Sequence, residues 1–241
     1  MSAAGRWLLA ELTGTGLLVA VVVGSGIAAT RLTSDGALRL LVSAVVTALG
    51  LAVLILIFAP AGGAHFNPLV TAADWALTRR TPGRYGPGLA LAVMGCQVAG
   101  AVAGAALADA MFAVPALAAS TTRRGGGPVL LGEVVATAGL LLLIVTLART
   151  GRTQHAAWAV GAWIGAAYWF TSSTSFANPA VTIGRTLTPT YAGIAPAFIA
   201  AEILGGTLGV LLAIVVHPAR AGPGARSRPG PAGRLTPERS A

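Results

Sequence analysis

Hydrophobic residues dominate six long stretches of the chain, and these stretches are nearly free of charge. They are residues 17–27, 38–59, 89–107, 129–147, 156–170 and 194–216. Most of them approach the roughly 20 residues that an α-helix needs to cross a bilayer. The fifth is the shortest, and it reaches that length only if polar residues up to 174 continue it. The pattern predicts an all-α membrane protein with six transmembrane helices.

Two short segments between these stretches resemble each other. Residues 63–69 read Gly-Ala-His-Phe-Asn-Pro-Leu, and residues 174–180 read Thr-Ser-Phe-Ala-Asn-Pro-Ala, so the two Asn-Pro pairs lie 111 positions apart. Asn is a strong helix N-cap, and Pro is well tolerated at the first helical position. A helix over 68–78 would be about 16 Å long, about half of a hydrocarbon layer roughly 30 Å thick. We therefore expect a re-entrant half-helix after each Asn-Pro pair.

Three landmarks recur in the same order in both halves of the chain. Glu11 and Thr15 of the first span match Glu133 and Thr137 of the fourth, and the Asn-Pro pair follows. The third and sixth spans then carry Gln97-x-x-Gly100-x-x-x-Gly104 and Glu202-x-x-Gly205-x-x-x-Gly209. Three spans per repeat is an odd number, so the halves must insert with opposite orientations, and the repeat is inverted.

This repeat predicts how the chain is divided. We expect a single channel domain over residues 1–217, with inverted repeats at about 6–108 and 129–216 and a linker at 109–128. Residues 218–241 are rich in Pro, Gly, Arg and Ser, with little apolar content. Such a composition predicts a disordered tail.

Composition narrows the possible classes of protein. Of the 241 residues, 55% are hydrophobic and only 10% are charged, which excludes an ordinary soluble domain. All sixteen basic residues are arginines, and they lie in short loops and in the tail. We therefore use them to orient the chain in a lipid bilayer and expect no nucleic-acid partner; placing both termini in the cytoplasm puts most of them on that side. A single cysteine, Cys96, excludes an internal disulfide, and no histidine has ligand spacing for a metal.

Two half-helices entering from opposite faces would bring Asn67 and Asn178 together near the middle of the membrane. Each helix N-terminus presents roughly +0.5 of an elementary charge there. The two side-chain amides would offer N–H donors, and carbonyls of residues 64–66 and 175–177 would offer acceptors. A small neutral solute can exchange its hydration for these groups, whereas a cation is repelled. We predict passive conduction of small uncharged molecules, with no catalysis and no cofactor.

The sequence Gly-Ala-His-Phe-Asn-Pro, the second Asn-Pro-Ala, and glutamates in spans one and four resemble the major intrinsic proteins, the aquaporins and aquaglyceroporins. The resemblance covers about residues 6–216. It implies an hourglass of six spans and two half-helices, one pore per protomer, and a homotetramer in the plasma membrane. The implied pore centre comprises Asn67, Pro68, Leu69, Asn178, Pro179 and Ala180. The implied pore wall comprises Ala64, His65, Phe66, Phe176 and Ala177.

The resemblance also implies that Glu11 and Glu133 are buried and brace the re-entrant loops; the alternative is a pair of charges reaching the headgroups. His65 would fix its loop and offer a polar wall, with a proton gate as the second interpretation. Gln97 and Glu202 are expected to be helix-contact groups, although Glu202 could also touch the pore.

Departures from the family pattern indicate what is particular to this chain. Leu69 replaces the usual alanine of the first motif, and Val181 replaces the arginine that usually follows the second and narrows the outer selectivity filter. Distances from the Asn caps assign the filter to Thr47, Ala166, Ser175 and Val181. Should the register slip, Tyr168 and Thr174 are the nearest substitutes. The primary candidates are small, so we expect a wide and weakly polar filter.

Arg185 lies four residues beyond Val181, on the same helical face and one turn further out. It has two interpretations: a filter arginine displaced to the outer vestibule, or a cation that caps the half-helix at the headgroups.

The leading hypothesis is an aquaglyceroporin-like channel for glycerol-like polyols and water. Val181 resembles a divergent bacterial branch linked to arsenic detoxification, which adds neutral or methylated arsenicals as possible cargo. A water-selective aquaporin is the alternative within channels. An ion-coupled secondary transporter is the alternative from another class, with Glu202 as its one candidate ion-binding group, and a non-conducting membrane scaffold is a further alternative.

Overall fold

The computed structural model describes residues 1–120, 122–188, 192–193 and 196–218, with the backbone alone at 122–123 and 192–193. The described helices are α1 Ala3–Leu32, α2 Gly36–Gly62, α3 Pro68–Thr78, α4 Pro87–Met111, α5 Gly127–Arg149, α6 Ala156–Phe170, α7 Pro179–Thr186 and α8 Pro196–Val216. A 3-10 turn, Thr153–His155, precedes α6. The expected tail lies almost wholly outside the described residues.

The helical fold class expected from the sequence is confirmed. Five of the described helices, α1, α2, α4, α5 and α8, are long and apolar enough to cross a membrane. With fifteen residues, α6 reaches only about 22 Å, and the three-residue 3-10 turn directly precedes it. The short helices α3 and α7 begin directly after the two Asn residues.

Helix boundaries follow local capping chemistry. The Ser2 side chain accepts from Gly5 N at 3.1 Å, and Asp35 Oδ1 accepts from Leu38 N at 2.8 Å. These caps start α1 and α2, because free N–H groups in the first turn need an acceptor. At its other end, α2 runs past Pro60 and stops at Gly63, whose φ of 103° few other residues tolerate. The chain then turns back toward Asn67.

Each half is built on one close helix pair, α1 with α4 and α5 with α8. A Cβ on Gly100 would lie 2.2 Å from Leu12 O, and one on Gly104 would lie 2.0 Å from Gly16 O. The second half repeats this contact: a Cβ on Gly205 would lie 2.3 Å from Val134 O, and one on Gly209 would lie 2.1 Å from Ala138 O. The recurring glycines therefore let two backbones touch, as small residues do in membrane bundles.

The two halves interlock. Helix α2 packs against α6, while α3 contacts α8 and α7 contacts α4, so each half-helix lies against the last helix of the other half. A two-residue parallel strand pair, β1 Thr122–Arg123 with β2 Ala192–Gly193, joins the segments preceding α5 and α8. This small sheet was not expected from the sequence.

Large apolar side chains cover the outside of the bundle. Leu56, Leu91 and Val215 are 66%, 67% and 76% exposed. Exposing such an apolar surface to water is unfavourable, whereas lipid tails or a neighbouring protomer would cover it.

Candidate functional site

The N-termini of α3 and α7 meet inside the protein, and their Asn caps are bonded across the two halves. Asn67 Nδ2 donates to Ala177 O at 2.8 Å, and Asn178 Nδ2 donates to Phe66 O at 2.7 Å. Each side-chain oxygen caps its own helix: Asn67 Oδ1 accepts from Leu69 N at 2.9 Å, and Asn178 Oδ1 accepts from Ala180 N at 3.0 Å. Since an amide nitrogen carries two hydrogens, each Asn retains one further N–H.

The loops that deliver these Asn residues adopt left-handed backbone conformations. Ala64 and Phe66 have φ of 54° and 50°, and Thr174, Ser175 and Ala177 have φ of 60°, 50° and 50°. Each such residue other than glycine costs about 1–2 kcal/mol. Surrounding contacts must therefore hold both loops in place.

Two buried glutamates make contacts of this kind. Glu11 Oε1 accepts from His65 N at 2.8 Å, and its Oε2 accepts from Phe66 N at 2.7 Å. In the other half, Glu133 accepts from Phe176 N at 2.9 Å and from Ala177 N at 2.8 Å. Both glutamates are 0% exposed, so their carboxylates are enclosed by the protein.

A cavity of about 880 Å³ runs alongside the paired caps. It extends from Leu77 and Gln154, past Asn67 and Asn178, to Arg185. We call these limits the α3 end and the α7 end. Much of its wall is apolar, and among the predicted site residues the wall includes Thr47, Ala64, His65, Phe66, Phe176, Ser175, Val181 and both Asn side chains. Pro68, Pro179, Ala180 and Ala177 lie behind this wall; Ala177 takes part through its carbonyl.

Comparison with known proteins identifies the family. The family model "Major intrinsic protein" matches residues 2–174. Aquaglyceroporin AqpS of Rhizobium meliloti (strain 1021) is 46% identical over 223 residues, which cover 89% of this chain and 92% of that protein. The chain belongs to the major intrinsic protein family.

Among solved structures, this major intrinsic protein resembles the aquaglyceroporin of Plasmodium falciparum, with a TM-score of 0.70 at 17% sequence identity. The match covers 89% of this chain and 96% of that one. At this identity the likeness concerns the fold alone. The family model ends at Thr174, just before the second Asn-Pro segment.

The assignment of Ala166 to the filter is wrong. Ala166 is exposed on the outer surface of α6, and Tyr168 lines the cavity instead, with its hydroxyl 3.2 Å from Thr47 Oγ1. Two residues along an α-helix correspond to a rotation of about 200°, so this change of register moves a side chain from one face to the other. The wall at this level thus carries one large polar residue.

Leu69 also lies elsewhere than expected. Its side chain contacts α8: a Cβ added to Gly206 would lie 3.4 Å from Leu69 Cδ1. The next residue, Val70, lines the cavity. The leucine that replaces alanine in the first motif therefore fills space against α8.

At the α7 end, two guanidinium groups face one aromatic ring. Arg185 is 3% exposed, and its Cζ lies 3.6 Å from the centroid of the Phe176 ring. Arg124 lies 5.5 Å from the same centroid and donates to Ser173 O at 2.6 Å and to Thr174 Oγ1 at 2.8 Å. Arg185 is thus a buried part of the cavity wall. Sequence reasoning missed Arg124.

The α3 end carries charges of both signs, since Asp74 and Arg149 both line the cavity there. Asp74 lines the cavity seven residues after Asn67, the same offset that separates Arg185 from Asn178. Its Oδ2 accepts from Arg84 Nη2 at 2.8 Å and from the Tyr85 hydroxyl at 2.6 Å. Burial, together with this hydrogen bond, raises the pKa of Tyr85 above its ordinary value, so its hydroxyl stays a donor. The sequence reasoning did not select Asp74, although its offset was visible.

His65 is held on both sides at this end of the cavity. Its Nδ1 lies 3.1 Å from Thr71 Oγ1, which also accepts from Gln97 Nε2 at 2.9 Å. Its ring meets the edge of Trp7 with the centroids 5.8 Å apart. These contacts fix the imidazole against the wall.

Proposed function

We propose that this protein is a passive channel for small uncharged solutes, glycerol-like polyols and water, with an outer constriction wider than that of family members with a filter arginine. The observation that carries the proposal is Val181 in the cavity wall, one helical turn beyond the paired Asn caps. The relative that is 46% identical is named an aquaglyceroporin, which supports this solute class.

The wall suits a solute with one polar and one apolar side. The remaining N–H of each Asn amide offers a polar contact. Val22, Leu51 and Ile164 line the cavity with apolar surface. A polyol can turn its hydroxyls to the first set and its C–H groups to the second, whereas a bare ion would lose its hydration without replacement.

Val181, Thr47, Tyr168 and Ser175 are the proposed constriction. Valine brings neither a fixed charge nor donors, so the ring is less tight than one closed by a guanidinium. Its width would also admit neutral or methylated arsenicals, in line with the resemblance of Val181 to an arsenic-linked branch. Arg185, one turn further out, is the proposed vestibule group that meets polar solutes before they reach the ring.

Other features of the proposal rest on the family and on charge. We infer a homotetramer in the plasma membrane with both termini in the cytoplasm, the α3 end facing the cytoplasm, and one channel domain over residues 1–217. The exposed apolar surface of α2, α4 and α8 is compatible with lipid on some faces and neighbouring protomers on others.

The rival functions have less support. A water-selective pore needs a tight, donor-rich ring, and Val181 removes its usual donor. A coupled transporter needs an accessible ion-binding group near the middle of the membrane. Glu202, the candidate for that role, is 0% exposed and lies outside the cavity wall.

The test is stopped-flow light scattering on liposomes that contain the purified protein, with water, glycerol, urea and arsenite as solutes. We expect fluxes well above those of protein-free liposomes, independent of proton or sodium gradients. Val181→Arg should slow glycerol at least about fivefold more than water, since about 1 kcal/mol of added barrier changes a rate about fivefold.

Two matched variants control the result. Val181→Leu adds volume without charge, and Ala166→Leu changes the outer surface of α6, so it should leave every flux unchanged. Equal slowing of all solutes by Val181→Arg would contradict the wide constriction. Wild-type flux no faster than that of empty liposomes would contradict a channel altogether.

A further inference from the structure

The buried contacts behind the first re-entrant loop combine a carboxylate with an amide. Gln97 Nε2 donates to Glu11 Oε2 at 2.8 Å and to Thr71 Oγ1 at 2.9 Å. Glu11 in turn holds the loop N–H groups of His65 and Phe66. Gln97 thus supplies the N–H donor that links α4 to α1 and α3.

The matching position in the second half is a second carboxyl group. Thr182 lies 111 residues after Thr71, as Asn178 lies after Asn67, and Glu202 takes the place of Gln97 in the Gly-x-x-x-Gly pattern. Glu202 Oε1 accepts from Asn178 N at 3.2 Å and from Thr182 Oγ1 at 2.5 Å. Its Oε2 is buried with no donor bonded to it among the described residues. Glu133 accepts from Ala177 N and Glu202 from Asn178 N, so the two carboxyl groups hold adjacent backbone N–H groups and are neighbours.

Two ionised carboxylates cannot bond to each other, because both only accept. Glu133 already accepts from Phe176 N and Ala177 N, and Glu202 is 0% exposed, so water cannot screen the pair. Carboxylates that share a buried site are stabilised when one of them holds a proton.

The neighbouring charges do not remove this repulsion. Among the described residues, Glu133 of α5 is the charged group that faces Glu202, and Arg185 of α7 in turn attracts Glu133. Helix α3, which also packs on α8, presents the apolar Leu69. One guanidinium therefore stands against two carboxyl groups, which leaves an unbalanced negative charge unless a proton is bound.

We propose that Glu202 and Glu133 form a proton-binding site in which Glu202 Oε2 carries the proton and donates it to Glu133. In the second half the bound proton donates to the loop-holding glutamate, as the Gln97 amide donates to Glu11 in the first half. It lets Glu202 Oε1 hold the Asn178 N–H while Glu133 holds the two preceding residues. The second loop thus depends on a titratable hydrogen bond, and the first does not.

This difference has a consequence for pH. A glutamate in the unfolded chain ionises near pH 4.3, so above that pH the folded protein holds one more proton than the unfolded chain. Stability must then fall as pH rises. The expected slope is a loss of about 3–5 °C in Tm per pH unit in the range where Glu202 is protonated only in the folded state.

The test compares Glu202→Gln with Gln97→Glu in the full-length detergent-solubilised protein. Infrared spectroscopy should detect a carboxylic-acid C=O stretch at neutral pH in the wild type, and Glu202→Gln should remove it. Glu202→Gln should also abolish the pH slope of Tm while keeping a neutral-pH Tm near that of the wild type. Gln97→Glu should add a second such stretch and steepen the slope.

Absence of the acid stretch in the wild type, or its persistence in Glu202→Gln, would overturn the proposal. So would a Tm that falls as far in Glu202→Gln as in Glu202→Ala, since a glutamine can replace a protonated carboxyl but not a required charge. These readouts use no solute, so they stand apart from the liposome fluxes that test the proposed function.

Discussion

The two re-entrant segments start from the same chemistry and end in different surroundings. Helix α3 has eleven residues and carries Asp74, with its partly exposed ion pair, one turn before its end. Helix α7 has eight residues, is mostly buried, and ends beside Arg185 under the Phe176 ring. Caps and loop contacts coincide because both backbones need the same hydrogen bonds. The side chains that face the cavity differ, since none of these shared hydrogen bonds depends on them.

Substitution of the glutamates that hold the two loops should give the largest difference between the halves. Glu11→Ala leaves the buried N–H groups of His65 and Phe66 without acceptors, at about 1–3 kcal/mol each. Glu133→Ala leaves the N–H groups of Phe176 and Ala177 without acceptors as well, but Glu202 still accepts from Asn178 N. We expect a larger fall in Tm for Glu11→Ala than for Glu133→Ala in thermal unfolding. Glu11→Gln keeps one acceptor oxygen, so its Tm should fall less than that of Glu11→Ala. A larger fall in Tm for Glu133→Ala than for Glu11→Ala would contradict the expected difference between the two loops.

The Asn caps should give the next largest effect. Either Asn67→Ala or Asn178→Ala removes a cap worth about 1 kcal/mol and a bond between the halves worth about as much. Asn178→Ala should be the more destabilising, since its Oδ1 also accepts from Val181 N at 3.5 Å. Thermal unfolding measures both, and the Asn→Asp variants retain the cap but lose the donor. Glycerol flux in the Asp variants that equals the wild-type flux would show that these donors do not serve the solute.

Substitution of Arg185 tests the α7 end alone. Arg185→Met removes a desolvated cation–π contact worth about 2 kcal/mol, and it removes the charge from the wall. We expect a Tm lower by about 4–8 °C and a changed ratio of glycerol to urea flux in liposomes. Arg185→Lys keeps the charge and serves as the control; an unchanged flux ratio in Arg185→Met would exclude a vestibule role.

Asp74 should give the smallest effect. In its ion pair with Arg84 the side chains are 41% exposed for Arg84 and 30% for Asp74, and pairs of this kind contribute about 0–1 kcal/mol. Asp74→Asn should therefore leave Tm within about 4 °C of the wild-type value. A larger fall in thermal unfolding would mean that the α3 end depends on this carboxylate as much as the α7 end depends on Arg185.

Sequence reasoning succeeded where the signal is local. An Asn-Pro pair after an apolar run specifies a capped helix start, and both short helices begin there. It failed at Ala166, because counting from Asn178 ignores a loop with three left-handed residues, so the register of α6 could not be derived. Arg124 was missed for a different reason. It lies in the segment between the halves, and only the folded chain brings it to residues 173–174. The roles of Thr47, Ser175 and Val181 in selecting solutes stay predictions.

The reciprocal bonds between Asn67 and Ala177, and between Asn178 and Phe66, bear on how the protein is made. A ribosome releases residues 1–108 long before residue 177, so the first half enters the bilayer with the Asn67 amide still lacking its permanent acceptor. Until the second half arrives, that amide depends on water or on another polar group, because a bare donor in hydrocarbon costs several kcal/mol. The hydrogen bonds at the centre of the molecule therefore form only when the second half inserts beside the first.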